Sequence, residues 1–165
     1  MCIQAGGAVG AYPLKLKEHF DVVYTFEPNP ILFRYLCKNC PDPQIIKIPC
    51  ALGHKHQMTH MASTTEYKNN MGAWWVEEGG ITPMLCLDDF DFPQVDLVYL
   101  DVEGWEGRIL AGGSEMIRKH RPTVIAEHKL KIIQKHGDWL DWFKKEFNYN
   151  EVDKIGQDIC LRFSQ

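Results

Sequence analysis

Apolar residues along this chain follow two alternating rhythms. Cys2–Ala5, Asp21–Glu27 (DVVYTFE), Gln44–Ile48, Val95–Asp101 (VDLVYLD) and Pro122–Glu127 (PTVIAE) are short β-branched or aromatic runs that read as strands. Between them lie stretches whose apolar positions read as helical. Val9, Leu14, Leu16 and Phe20 form one such stripe, Leu32, Phe33, Leu36 and Cys37 a second. A third holds Ile109, Leu110, Met116 and Ile117, within a helix expected from about Trp105 to His120. Pro30, after Pro28-Asn29, is placed to open the second helix. Asp138–Phe147 (DWLDWFKKEF) reads as an amphipathic helix, and Tyr149–Val152 with Asp158–Phe163 as a closing antiparallel pair. Residues 53–83 lack helical periodicity and are expected to form a long loop or irregular hairpin, a candidate substrate lid.

The alternation predicts an α/β fold: a doubly wound, mostly parallel sheet with an antiparallel C-terminal strand pair, in one domain over residues 1–165. Parallel strands need both faces covered. No helix precedes the first strand, so an apolar patch beside strand one or four is expected to await a partner, and a homo-oligomer is the expectation.

Charge and cysteine content narrow the function classes. With 18 basic against 22 acidic residues the net charge is −4, which argues against a nucleic-acid binder. Lys15, Lys17 and the stretch Lys129–Lys135 could still build a local basic face. No apolar run approaches the roughly 18–20 residues of a membrane helix. MCIQAGGAVG lacks the basic flank and apolar core of a signal peptide. A cytoplasmic location without membrane contact is therefore expected, with the six cysteines reduced.

The candidate chemistry lies at strand ends. Asp101, Glu103 and Glu106 follow the fourth strand, where open α/β sheets bind ligands. Glu106 reads as a helix-start acid favoured by the macrodipole. Gly6-Gly7-Ala8-Val9-Gly10 joins the first strand to its helix, allowing close backbone approach to a ligand. It is neither G-x-G-x-x-G nor a phosphate-cradling G-K-[ST], which disfavours an NAD-linked oxidoreductase. Glu27, 17 positions after Gly10, ends the second strand where an acid can accept from a ribose diol and would repel a 2′-phosphate.

Other clusters carry less. Asp101, Glu103 and Glu127 are of the type that holds Mg²⁺, but a metal-free acid cluster has the same signature, and no metal is expected. Cys37-Lys-Asn-Cys40, with Cys50, His54, His56 and His60, supplies only half of a zinc pattern. Tyr67, Trp74 and Trp75 could stack on a substrate or anchor the loop, with one of the two adjacent tryptophans facing the ligand side. Asp88-Asp89 reads as support for the loop before strand four, and Trp139, Leu140 and Phe143 as core.

Taken in order, QAGGAVG, FEPNP, ALG (Ala51–Gly53), LDDF (Leu87–Phe90), LDVEGWE (Leu100–Glu106), PTVIAEH (Pro122–His128) and GQDICLRF resemble the FkbM family of S-adenosylmethionine-dependent methyltransferases. The resemblance implies a class I methyltransferase fold, S-adenosyl-L-methionine as cofactor and O-methylation of a hydroxyl on a sugar or similar polar small molecule, free or glycan. On it, Gln4, Gly6, Gly7, Val9 and Gly10 would surround the methionine part of the cofactor. Glu27, with Pro28 and Asn29, would take the ribose, and Ala51 and Leu52 would lie along the adenine. Asp101 and Glu103 would stand at the methyl-transfer end, Asp101 touching the cofactor as well, with His128 and Glu127 as further candidate catalytic groups. The family usually has an acid where Gln4 stands and an asparagine at Ala8. Those two departures support a second reading, a cofactor-binding or scaffold protein of the same fold without turnover.

Overall fold

The computed structural model describes residues 1–62, 75–129 and 137–164. In chain order the elements among them are β1 (Cys2–Ala5), α1 (Ala11–Leu16), β2 (Val23–Phe26), α2 (Pro30–Asn39), β3 (Ile45–Ile48), β4 (Ala51–Leu52), β5 (Gln57–Ala62), β6 (Trp75–Glu78) and β7 (Thr82–Leu85). After a 3₁₀ turn at Leu87–Asp89 come β8 (Leu97–Leu100), α3 (Glu106–Ala111), α4 (Ser114–His120), β9 (Thr123–Glu127), α5 (Leu140–Phe147), β10 (Tyr149–Ile155) and β11 (Asp158–Phe163).

The runs that are apolar throughout become the central parallel strands, because such strands are covered on both faces. β1 and β8 are buried at every position. Seven strands pair in the order β10-β11-β9-β8-β1-β2-β3, with β3 through β9 parallel and β11 antiparallel to both of its neighbours. On one face Ile3, Phe26, Val98, Leu100, Ile109 and Phe143 belong to a single core. On the other, Cys2, Val23, Leu36, Ile45 and Leu97 pack together. The predicted fold class is the one observed.

Local chemistry explains the helix starts. Asn29 caps α2, its Oδ1 accepting from the Ile31 and Leu32 amides at 2.9 and 3.3 Å, and Pro30 occupies the first turn. Asp88 accepts from the amides of Glu115 and Met116 at 3.1 and 2.8 Å and so holds the start of α4.

Two expectations need correction. The helix over Trp105–His120 is two helices, parted at Gly112-Gly113, where the chain packs so close to Gly53 that a Cβ at Gly112 would lie 1.9 Å from its carbonyl oxygen. The segment 53–83, expected as a long loop or irregular hairpin, contains β5, β6 and β7; β5 and β6 pair antiparallel, and with β4 and β7 they form a second sheet in the order β4-β7-β5-β6. The strands β1 and β8 themselves expose no apolar side chain, since Cys2, Ile3, Leu97, Val98 and Tyr99 are all buried within the chain, while Tyr12, 45% exposed, lies against Tyr99. Among the described residues no helix is long and apolar enough to cross a membrane. Tyr67, Trp74, the side chain of Trp75 and residues 130–136 of the candidate basic face lie outside the described residues.

Candidate active site

Strand order reverses at β1, with β2 on one side and β8 on the other, so a crevice opens at the carboxyl ends of these strands. The glycine turn shapes one wall. Gly6 has φ +88, and a Cβ on it would fall 2.1 Å from the Asp101 carbonyl oxygen. The Gly6 and Gly7 amides both donate to the Phe26 carbonyl, at 3.0 and 3.1 Å. Beneath the turn lies Gln4, fully buried, its Nε2 donating to the Ala5 and Gly6 carbonyls at 3.1 and 2.9 Å. Its Oε1 accepts from the Thr25 hydroxyl. Both polar ends of Gln4 are therefore used inside the protein.

Glu27 follows β2 and is 4% exposed. One carboxylate oxygen accepts from the Ala8 amide and the other from the Asn29 amide, each at 2.8 Å. Burial raises its pKa above the usual carboxylate range, while the two amides pull it back. A carboxylate so held keeps free lone pairs for a further donor.

Opposite, β8 delivers Asp101 into a tight turn in which Glu103 has φ 52 and Gly104 φ 99. Glu106, the first residue of α3, is 0% exposed. Its Oε1 accepts from the Val102 and Gly104 amides at 3.4 and 3.3 Å, and its Oε2 has no hydrogen-bond partner. Burial pushes its pKa up to about 7, the amides opposing the shift. Glu106 does start a helix, but it braces the acidic turn from below, where an ordinary helix-start acid would face water.

β9 runs beside β8 with Ala126 opposite Leu100, which brings Glu127 next to Asp101. Single carboxylate oxygens of Asp101, Glu103 and Glu127 all lie within 4.8 Å of one another. Burial raises all three pKa values, and Lys129 opposes the shift at each. Lys129 ion-pairs with Glu127 and, at 3.6 Å, with Glu103. Burial alone would lower the lysine pKa, but these carboxylates outweigh it and hold the ammonium above its usual range. His128 turns elsewhere, with Nε2 3.1 Å from Asp138 Oδ1 and its ring edge-on to Trp139.

The crevice has a cavity volume of about 140 Å³ and opens to solvent. It is lined by Gly6, Ala8, Glu27 and Pro28, by Ala51 and Leu52 of β4, and by Asp101 and Glu103. Gln4, Gly7, Val9, Gly10 and Asn29 stand behind this lining, and Glu127 and His128 are outside it. Trp105, Met61 and Val76 also line the crevice, none of which the sequence pattern singled out. Polar groups thus face one another across one end, while Leu52, Met61, Val76 and Ile109 make the remainder apolar. The half-zinc pattern is not assembled among the described residues. Cys37 is exposed and Cys40 buried, and His56 stands instead near Cys86 and hydrogen-bonded to Asp89 at 2.8 Å.

Comparison with known proteins agrees with this architecture. Methyltransferase FkbM from Methylobacillus flagellatus KT superposes with a TM-score of 0.66 at 17% identity, covering 99% of this chain and 43% of that one. The chain thus spans less than half the length of that relative. A putative caffeoyl-CoA O-methyltransferase from Staphylococcus aureus gives 0.59 at 12% identity, covering 99% of this chain and 75% of the other. The N-methyltransferase NodS from Bradyrhizobium japonicum WM9, in complex with S-adenosyl-L-homocysteine, gives 0.54 at 12% identity, with 98% and 74% covered. These likenesses show a class I methyltransferase fold. No curated protein matches the sequence. Residues 5–151 match the family model of the methyltransferase FkbM domain, and the chain belongs to that family.

Proposed function

We propose that this chain binds S-adenosyl-L-methionine in the crevice at the ends of β1, β2 and β8 and transfers its methyl group to a hydroxyl of a sugar or similar polar small molecule. Membership in the FkbM methyltransferase family makes S-adenosyl-L-methionine the cofactor. When bound, it supplies a methyl group on a sulfonium: the acceptor oxygen takes the methyl, the C–S electron pair stays on sulfur, and the acceptor proton must leave. The observation that carries the reading is the pairing of Glu27 with Asp101 and Glu103 across one crevice.

The residues fit the group. Glu27, with both oxygens already fixed by amides, accepts from a ribose diol without reorganising. Pro28 borders that position, and Asn29 holds Glu27 and caps α2. Ala51 and Leu52 offer the apolar surface that a purine ring needs. Gly6 and Ala8 border the methionine end, with Gly7, Val9 and Gly10 shaping the turn and Gln4 bracing it from below. Asp101 and Glu103, made more basic by burial, take the acceptor proton, and Glu127 supports them. His128, engaged with Asp138, is left out of the proton transfer.

Calorimetric titration with S-adenosylmethionine and S-adenosylhomocysteine tests the reading. Both should bind one per chain, and Glu27→Ala should weaken binding about 10- to 100-fold through loss of charged hydrogen bonds. Binding of neither ligand would leave the chain a scaffold of this fold without turnover. Unchanged affinity in Glu27→Ala would refute the ribose role.

A further inference from the structure

The ends of β8 and β9 face a charge problem that the methyl-transfer roles do not resolve. Asp101 and Glu127 leave adjacent parallel strands side by side, and the left-handed turn at Glu103 brings a third carboxylate back toward them. Their oxygens lie within 4.8 Å of one another, Glu127 is 7% exposed, and its Oε2 is buried without a hydrogen-bond partner. Three carboxylates so close, and partly withdrawn from water, repel one another unless a cation stands among them. Such a set of hard oxygens is also what a divalent cation selects.

Lys129 follows Glu127 by two residues, so it leaves the same strand end on the same side. Its Nζ contacts Glu127 Oε1 and lies 3.6 Å from Glu103 Oε2. Among the described residues no other cation pairs with any of the three acids. We propose that Lys129 is the resident counter-ion of this cluster, its ammonium filling the place a divalent cation would otherwise take, so that the acceptor side of the crevice works without a metal ion. The clause about the acceptor rests on the methyl-transfer reading; the counter-ion role does not. Lys129 acts through the carboxylates and is a positioning residue.

The test is whether removing the ammonium creates a metal site. Mn²⁺ prefers the same oxygen ligands as Mg²⁺, and its free and bound forms are counted by electron paramagnetic resonance. The wild-type protein should hold no Mn²⁺ at this cluster. Lys129→Met should bind one ion per chain at least about tenfold more tightly than any wild-type binding, since it keeps three acids and loses their cation. Lys129→Arg, which keeps the charge, should behave as wild type. Adding Glu127→Gln to Lys129→Met should remove the gained binding and so locate it. Lys129→Gln carries the same expectation and serves if circular dichroism shows the Met variant unfolded. Wild-type Mn²⁺ binding that Glu127→Gln abolishes overturns the proposal, as does a folded, charge-removed variant that gains no ion. None of these measurements uses the nucleoside cofactor or an acceptor. A failure to bind S-adenosylhomocysteine therefore strikes the methyl-transfer reading alone.

Discussion

Glu106 carries an uncompensated cost at the residue scale. Its carboxyl is fully buried, only one oxygen is hydrogen-bonded, and its pKa rises from 4.5 to about 7. Between those values the folded chain holds a proton that the unfolded chain has released. Stability from this group is therefore complete below pH 4.5 and lost as pH rises through 7. The interval corresponds to about 3 kcal/mol at alkaline pH. Glu106→Gln keeps the acceptor for the Val102 and Gly104 amides and removes the charge. Urea unfolding at pH 5 and pH 8 should show the variant gaining on wild type by up to about 3 kcal/mol at the higher pH. A gap that does not change with pH would show that the carboxyl is not titrating as described. Gln4 is the opposite case, a buried amide whose donors and acceptor are all used. An ionised acid at that position could donate to neither the Ala5 nor the Gly6 carbonyl, so the amide is built into the packing beneath the turn.

At the scale of elements, the glycine turn shows how two strands and a loop share one space. Gly6 combines a left-handed φ of +88 with a Cβ direction blocked at 2.1 Å by the backbone of Asp101, which cannot swing aside as a side chain would. Gly6→Ala should therefore cost about 2–4 kcal/mol, read as a lower urea midpoint with an unchanged slope. A loss under 0.5 kcal/mol would mean that the β1 and β8 ends are not packed this tightly. The turn, its strand and the helix after it were legible in the sequence because glycines, an apolar run and a helical stripe agree there. The Asn29-Pro30 start of α2 was legible for the same reason. β5 was not, because only Thr59 of its six residues is buried and its methionines and histidine give no clean alternation. The break between α3 and α4 was hidden too. The stripe of Ile109, Leu110, Met116 and Ile117 runs across it, and the close approach of Gly112 to the Gly53 backbone brings together segments distant in the sequence. Lys129 was missed at the site because its importance lies in register: only the pairing of β9 with β8 brings it to Glu103.

For the whole molecule, the strand order carries the functional argument. β1 sits at the reversal point, so its turn, Glu27 after β2 and Asp101 after β8 converge although they are far apart in the chain. The sequence motifs foretold that convergence through their order, since strand-end residues of an α/β sheet meet at one edge. They did not foretell the second sheet, whose Leu52, Met61 and Val76 close over the apolar part of the crevice. The central claim is that one crevice holds the nucleoside by Glu27 and directs its reactive end to Asp101 and Glu103. A crystal structure with S-adenosylhomocysteine tests it most directly. Ribose hydroxyls should lie within about 3 Å of the Glu27 carboxylate, the adenine along Ala51 and Leu52, and the sulfur facing the acidic turn. A nucleoside bound elsewhere, or reversed with its adenine against Asp101 and Glu103, would contradict it.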